Sequence, residues 1–269
     1  MYWNSLLIIC LVCAVLSAVG FYKYVYFLSI GYGFAIAGGG ITILIMSLKY
    51  GWSEGVVVLA ILQAALFLAY GARLSGFLLI REIKNAAYRK TLKEATGNDK
   101  KIPLFVSVAI WVFVAVLYTA QVSPMLFRYA NGSKDVAVPV IGMLISVFGL
   151  GLESLADKQK SDQKKERPDM VATKGLYKIV RCPNYLGEII FWTGVFVAGI
   201  TTYQGLGQWL MAIIAYVCIV YIMFNGAQRL EKRQMARYGN DVEYNRYADS
   251  TPIILPFVPI YHLNKKAAG

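Results

Sequence analysis

Residues 56–80 read VVVLAILQAALFLAYGARLSGFLLI. As a helix rising 1.5 Å per residue, the run reaches about 37 Å, enough to cross roughly 30 Å of bilayer hydrocarbon. Among its side chains only Gln63, Tyr70, Arg73 and Ser75 carry polar groups. Runs of similar length recur along the chain and predict helices near 5–22, 24–48, 56–80, 103–121, 137–157, 185–201 and 207–226. No alternating pattern of the kind a membrane barrel needs is present, and in lipid each backbone polar group must be satisfied within its own helix. The expected fold class is therefore an all-α integral membrane protein of about seven transmembrane helices, arranged as a single domain.

Composition agrees. Hydrophobic residues make up 58%, charged residues only 16%, and the mean hydropathy is +0.53. A soluble domain is nearer half apolar and a quarter charged. Cys10, Cys13, Cys182 and Cys218 form no disulfide framework; the CxxC of Cys10 and Cys13 sits inside an apolar helix and reads as packing. His262 is the sole histidine, which argues against a His-rich metal site, so no metal is expected. The first apolar run lacks the basic start and small-residue cleavage site of a signal peptide and reads as a retained helix. Gly38-Gly39-Gly40 reads as close helix packing rather than a phosphate loop.

Charge placement predicts sidedness. The loop 81–102 carries Arg81, Lys84, Arg89, Lys90, Lys93, Lys100 and Lys101. The loop 158–184 carries Lys158, Lys160, Lys164, Lys165, Arg167, Lys174, Lys178 and Arg181, and the tail after 226 is basic too. The opposite segments hold Lys49, Arg128 and Lys134. By the positive-inside rule the three basic segments are cytoplasmic, which with seven spans puts the N-terminus outside and the C-terminus inside. The net charge of +12 is explained by topology and calls for no nucleic acid.

Ionisable groups within or at the ends of spans are costly and are functional candidates. They occur here at helical spacing: Tyr70 with Arg73, Glu153 with Asp157, Asn184 with Glu188, and Arg229, Glu231, Lys232 and Arg233 after the last span. Taken singly, each reads as a snorkelling or capping residue. Taken together, they fall at one cytoplasmic depth and suggest a polar pocket. The densest segment, 174–188, reads KGLYKIVRCPNYLGE. Gly175 permits a turn, Pro183 suits a helix start, and Asn184 and Tyr185 offer hydrogen bonds at that N-terminus. With Lys and Arg flanking it, and with Tyr177 and Arg181 inside it, the segment suits an anionic, phosphorylated cofactor.

At these residues the chain resembles the steroid 5-alpha-reductase family and its bacterial relatives, the DUF1295 group. The resemblance rests on GLYKIVRCPNYLGEIIFW, on LADKQ before it, on RLEKR and YGNDVEYNRYADSTPIILP after it, and on YGARLSGFLLIRE in the third helix. It implies an enzyme that uses NADPH to reduce the carbon–carbon double bond of a hydrophobic enone such as a 3-oxo-Δ4 steroid. Residues 1–136 would form the substrate-side wall, and 137–269 the cofactor-binding helices and cytosolic loops. The resemblance makes Tyr70 the acid that meets the substrate ketone, with Arg73 beside it at the cofactor. Asp157, Lys164, Asn184 and Glu188 would hold the nicotinamide half and its riboses, with Tyr177 and Arg181 in the same cofactor-binding set. Arg229 and Arg233 would meet phosphates. Glu153 stands where relatives have Asn.

The chain departs from the pattern in reading Arg-Cys-Pro-Asn-Tyr where relatives often read Arg-His-Pro-Asn-Tyr. It also lacks a clear counterpart of the early-helix glutamate that pairs with the tyrosine, Glu54 being the nearest in sequence. No GxGxxG follows a strand, so the cofactor would be held without a Rossmann unit. The competing reading is an S-adenosylmethionine-dependent membrane methyltransferase of the isoprenylcysteine carboxyl type. The expected partners are membrane lipids and a lipophilic substrate entering from the bilayer, with the protein a monomer. The expected location is the bacterial inner membrane, or the endoplasmic reticulum in a eukaryote, with the site facing the cytosol.

Overall fold

A computed structural model describes residues 2–49, 54–84 and 102–264. Among them the structure is helical, without strands: α1 (Tyr2–Ser17), α2 (Ile30–Lys49), α3 (Glu54–Gly71), α4 (Phe77–Lys84), α5 (Leu104–Ala130), α6 (Ala137–Glu166), α7 (Pro183–Gly199), α8 (Gly205–Tyr238) and α9 (Val242–Ser250). Six stretches are long and apolar enough to cross a membrane: Trp3–Phe21, Ile30–Lys49, Val57–Lys84, Leu104–Ala130, Ala137–Glu166 and Gly205–Tyr238. The expected span at 185–201 corresponds to α7, whose 17 residues extend about 25 Å. Large apolar side chains such as Leu7, Val15, Phe105 and Leu144 stand exposed along these helices, as suits contact with lipid. The protein is thus an all-α, multi-pass membrane protein. Of the basic residues counted in the loop 81–102, Arg89, Lys90, Lys93, Lys100 and Lys101 lie outside the described residues, as does the side chain of Glu54.

Five helices differ from expectation. Residues 24–48 are not one helix: a 3₁₀ turn (Tyr24–Leu28) precedes α2, and Lys23 before it is extended at φ −140° and ψ 122°. The 56–80 helix is α3 and α4 joined through a π-turn, Ala72–Gly76. Helix α5 continues past the expected end at 121 and carries Pro124 within it, since a proline is tolerated in a membrane helix when neighbours re-satisfy the freed carbonyl. Helices α6 and α8 outrun their apolar stretches, to Glu166 and Tyr238, on polar residues of good helix propensity.

The chain divides into two compact units, residues 1–143 with 195–215 and residues 144–194 with 216–269. In the first, α2 packs against α1, α3 and α5. The glycine triplet explains how one helix serves three neighbours. A Cβ at Gly38 would collide with Leu16 of α1, one at Gly39 would come within 3.2 Å of Val122 of α5, and one at Gly40 within 2.9 Å of Phe67 of α3. Further along, the backbones of α2 and α3 cross directly. A Cβ on Gly71 would strike the Gly33 carbonyl oxygen and lie 2.9 Å from the Ala37 methyl. Backbone cannot move aside as a flexible side chain can, so Gly71→Val is expected to cost about 1–3 kcal/mol or more. Thermal unfolding of purified protein checks this, with Gly76→Ala as a neutral control because no atom lies within 4 Å of that position.

The first unit also buries polar groups. Glu82 accepts from Lys23 Nζ at 2.6 Å and from Tyr26 OH at 2.5 Å. The Lys23 ammonium is held above its ordinary range by that bond, and burial first, then Glu82, pushes Tyr26 up to about 12. In the last turn of α5, the buried Arg128 pairs with Asp135 at 2.9 Å, and Asn131 just after the helix bonds to the Thr202 carbonyl and Gln208.

In the second unit, three apolar clusters hold α6, α7, α8 and α9 to the intervening segments: Cys182, Ile189, Ala227, Ile253 and Ile254; Met170, Val171, Tyr244 and Ala248; and Ala156, Ala172 and Tyr177. Asp241 caps α9, its Oδ1 accepting from the amides of Glu243 and Tyr244.

Candidate functional site

Tyr70 and Arg73 belong to the first unit; Glu153, Asp157, Lys164, Tyr177, Arg181, Asn184, Glu188, Arg229 and Arg233 belong to the second.

Tyr70 is the penultimate residue of α3 and has no solvent exposure. Its ring meets Tyr32 of α2 edge-on at 5.7 Å between centroids. Arg73 falls within the π-turn and is half-buried. The turn is held against α2 by Ser75 Oγ, which donates to the Ile30 carbonyl at 2.6 Å. The spacing of Tyr70 and Arg73 is thus set by a π-turn rather than by the regular helix that the sequence suggested.

In the second unit, α6 and α7 meet backbone to backbone. A Cβ on Gly187 would lie 2.8 Å from the Gly149 carbonyl oxygen and 2.9 Å from the Glu153 amide, and Ser146 Oγ donates to the Phe191 carbonyl at 2.9 Å. Glu153 and Glu188, one from each helix, are both buried. Glu188 Oε1 accepts from Trp192 Nε1 at 2.9 Å, one turn along α7.

The segment 173–178 is tied to the polar extension of α6 by two glutamines one turn apart. Gln163 Oε1 accepts from the amides of Thr173 and Lys174, and Gln159 Oε1 from that of Leu176. Gly175 has a φ of +67°, which favours glycine, and a Cβ there would strike Gln159. Sequence reading missed both glutamines, although their i, i+4 spacing on a helical continuation of α6 was there to be seen. Tyr177 is buried below this turn, with its hydroxyl 3.3 Å from the Ala156 carbonyl and its own carbonyl accepting from Tyr247 OH at 2.7 Å. Burial, then the nearby Asp157 carboxylate, raises the Tyr177 phenol well above its ordinary value, so it stays neutral.

Around the start of α7, several expected residues do converge. Tyr185 lies over Gly226 of α8, whose added Cβ would be 3.3 Å from the ring. Asp157, Arg229 and Arg233 lie close enough to act electrostatically on its hydroxyl. Asp157 and Asn184 are half-buried, whereas Arg229 and Arg233 are exposed and available to an anion. Lys164 stands apart, with Nζ 3.0 Å from Tyr238 OH and 3.2 Å from the Pro168 carbonyl.

Arg181 has another occupation. Its guanidinium pairs with Glu231 at 2.6 Å, both side chains being buried, and also donates to the Tyr261 carbonyl. Its amide donates to the Pro252 carbonyl, and that of Cys182 to Ile253, each at 2.8 Å. Glu231 Oε2 accepts from the amides of Leu263 and Asn264, and Oε1 lies 3.0 Å from His262 Nδ1. Arg181 and Glu231 thus clasp residues 252–264 to α8 and to the RCPNY turn.

Cys182 sits within this clasp. Burial pushes its thiol from an ordinary 9.0 up to about 12, against the opposing pull of Arg181. The raised value favours the protonated folded form, so this contribution to stability is full below pH 9 and is lost as pH rises toward 12. Maleimide at pH 7.5 is expected to spare Cys182 in folded protein and label it after denaturation, as peptide mapping would show.

Compared with known protein families, the chain matches the model of a family described as a protein of unknown function, DUF1295, over residues 32–251. No curated protein and no solved structure matches it.

Proposed function

The chain belongs to the DUF1295 family, and we propose that it is an NADPH-dependent reductase of the carbon–carbon double bond of a hydrophobic enone. The reading is carried by Tyr70, a phenol with no solvent exposure on a membrane helix, followed within three residues by a half-buried arginine. Membership of a membrane family related to the steroid 5-alpha-reductases supports it.

The residues of the second unit fit a polyanionic dinucleotide. Arg229 and Arg233 are exposed cations suited to phosphates, and Asp157 and Asn184 offer hydrogen-bonding groups for hydroxyls and an amide. Bound NADPH would supply the hydride. Its addition at the β-carbon would send the double-bond electrons toward the carbonyl oxygen. The Tyr70 hydroxyl would donate to that oxygen as its charge grows, and the α-carbon would take up one proton drawn from solvent, so that enone, NADPH and a proton give the saturated ketone and NADP+. Burial keeps water from competing for the oxyanion. A 3-oxo-Δ4 steroid is one substrate of this class, entering from the bilayer.

The test is NADPH oxidation by purified protein against a panel of Δ4-3-oxo steroids and other lipid enones, with thermal stability measured alongside. NADPH is expected to raise the melting temperature and S-adenosylmethionine to leave it unchanged. The reverse result would assign the chain to the methyltransferase reading.

A further inference from the structure

Three aromatic rings run in series through the first unit. Tyr118 of α5 is anchored by its hydroxyl, which donates to the Phe27 carbonyl at 2.5 Å. Its ring stacks on Tyr32 at 4.8 Å and 26°, and Tyr32 meets Tyr70 edge-on at 5.7 Å and 75°. Gln121, three residues after Tyr118 on α5, donates from Nε2 to the Tyr32 hydroxyl at 3.3 Å. Gln121 is only 2% exposed, and its Oε1 has no hydrogen-bond partner among the described residues.

That orphan oxygen is the informative observation. A buried acceptor without a donor destabilises the fold, and a leucine or methionine of similar volume would fill the place without it. The amide is therefore poorly explained as packing. What it supplies is a bond to the hydroxyl of the ring that wedges Tyr70.

We infer that Gln121, acting through Tyr32, is a positioning residue that fixes the ring orientation of Tyr70. The inference rests on the reading of Tyr70 as the proton-donating group. A donor must sit within about 0.5 Å of its productive geometry, and a ring free to swing loses that placement. The Tyr118–Tyr32 stack limits the translation of Tyr32, and the Gln121 bond limits its rotation. Together they hold in place the ring against which Tyr70 packs edge-on.

The experiment uses the full chain in nanodiscs, with 3-fluorotyrosine placed at position 70 and compared among the natural sequence, Gln121→Leu and Tyr32→Phe. One sharp fluorine resonance is expected for the natural sequence, and a shifted or broadened one for both variants. Enone reduction is expected to show kcat lowered about tenfold or more with unchanged affinity for NADPH. Gln121→Leu is also expected to melt no lower than the natural sequence, because it removes the orphan oxygen. An unchanged fluorine signal overturns the inference. So does a Gln121→Leu protein whose melting temperature falls in step with its activity, since that is the behaviour of a structural residue. If the natural sequence reduces no enone, the reductase reading fails, and the fluorine comparison still decides whether Gln121 orients the ring.

Discussion

Tyr70→Phe is expected to lower the rate of enone reduction by about 10²–10⁴-fold while leaving NADPH affinity as it was. The substitution removes one hydroxyl and keeps the ring, so the edge-on contact with Tyr32 survives. In the proposed mechanism the group lost is the donor to the growing negative charge, and Tyr70 has no solvent exposure through which water could replace it. The loss should therefore fall on kcat rather than on cofactor binding, and steady-state kinetics with titration of NADPH separates the two. A variant that retained turnover would remove Tyr70 from the chemistry. Arg229→Ala with Arg233→Ala should do the opposite, weakening cofactor affinity with kcat at saturation less affected.

The second large effect concerns folding. Arg181→Met is expected to destabilise the protein by about 3–5 kcal/mol, because it leaves the buried Glu231 carboxylate without its cation. Glu231→Gln keeps acceptor and donor groups near Leu263, Asn264 and Arg181 and removes only the charge. The double variant should consequently lose less than the sum of the two single losses, as partners in one network do. Thermal unfolding supplies the measurement. Limited proteolysis adds a local one: the peptide 252–264 should become cleavable in Arg181→Met, since its clasp to α8 has been cut.

Much of this architecture can be read from apolar run length, because lipid imposes that length directly. What escapes such a reading is whatever lies beyond the hydrocarbon or depends on contacts distant in sequence. Helices α6 and α8 pass their apolar stretches without a break, and residues such as Gln159 and Gln163 read as loop until the continuing helix aligns them. Pro124 looks like a terminator and is an internal residue of α5. Arg181 and Arg229 are equally basic in sequence, yet one is buried against Glu231 and the other exposed, a difference decided by the return of the chain at 252–264. Glu82 is a lone acid among basic neighbours, and its partners Lys23 and Tyr26 lie far away in sequence. The grouping of Asp157, Arg229 and Arg233 near Tyr185 was more legible, since i, i+4 spacing on two helices supplied most of it.

The π-turn at Ala72–Gly76 acts as a phase shifter. An extra residue in one turn rotates everything after it by about 100° relative to a regular helix. Upstream, the helix is registered on Gly33 through Gly71; downstream, it is registered on Lys23 and Tyr26 through Glu82. A regular helix would satisfy one registration and rotate the other out of place. Deleting a single residue between 72 and 76 is thus expected to swing Glu82 out of its pairing with Lys23 and Tyr26, whereas exchanging residues there leaves the phase intact. For this stretch, chain length is under tighter constraint than chain composition.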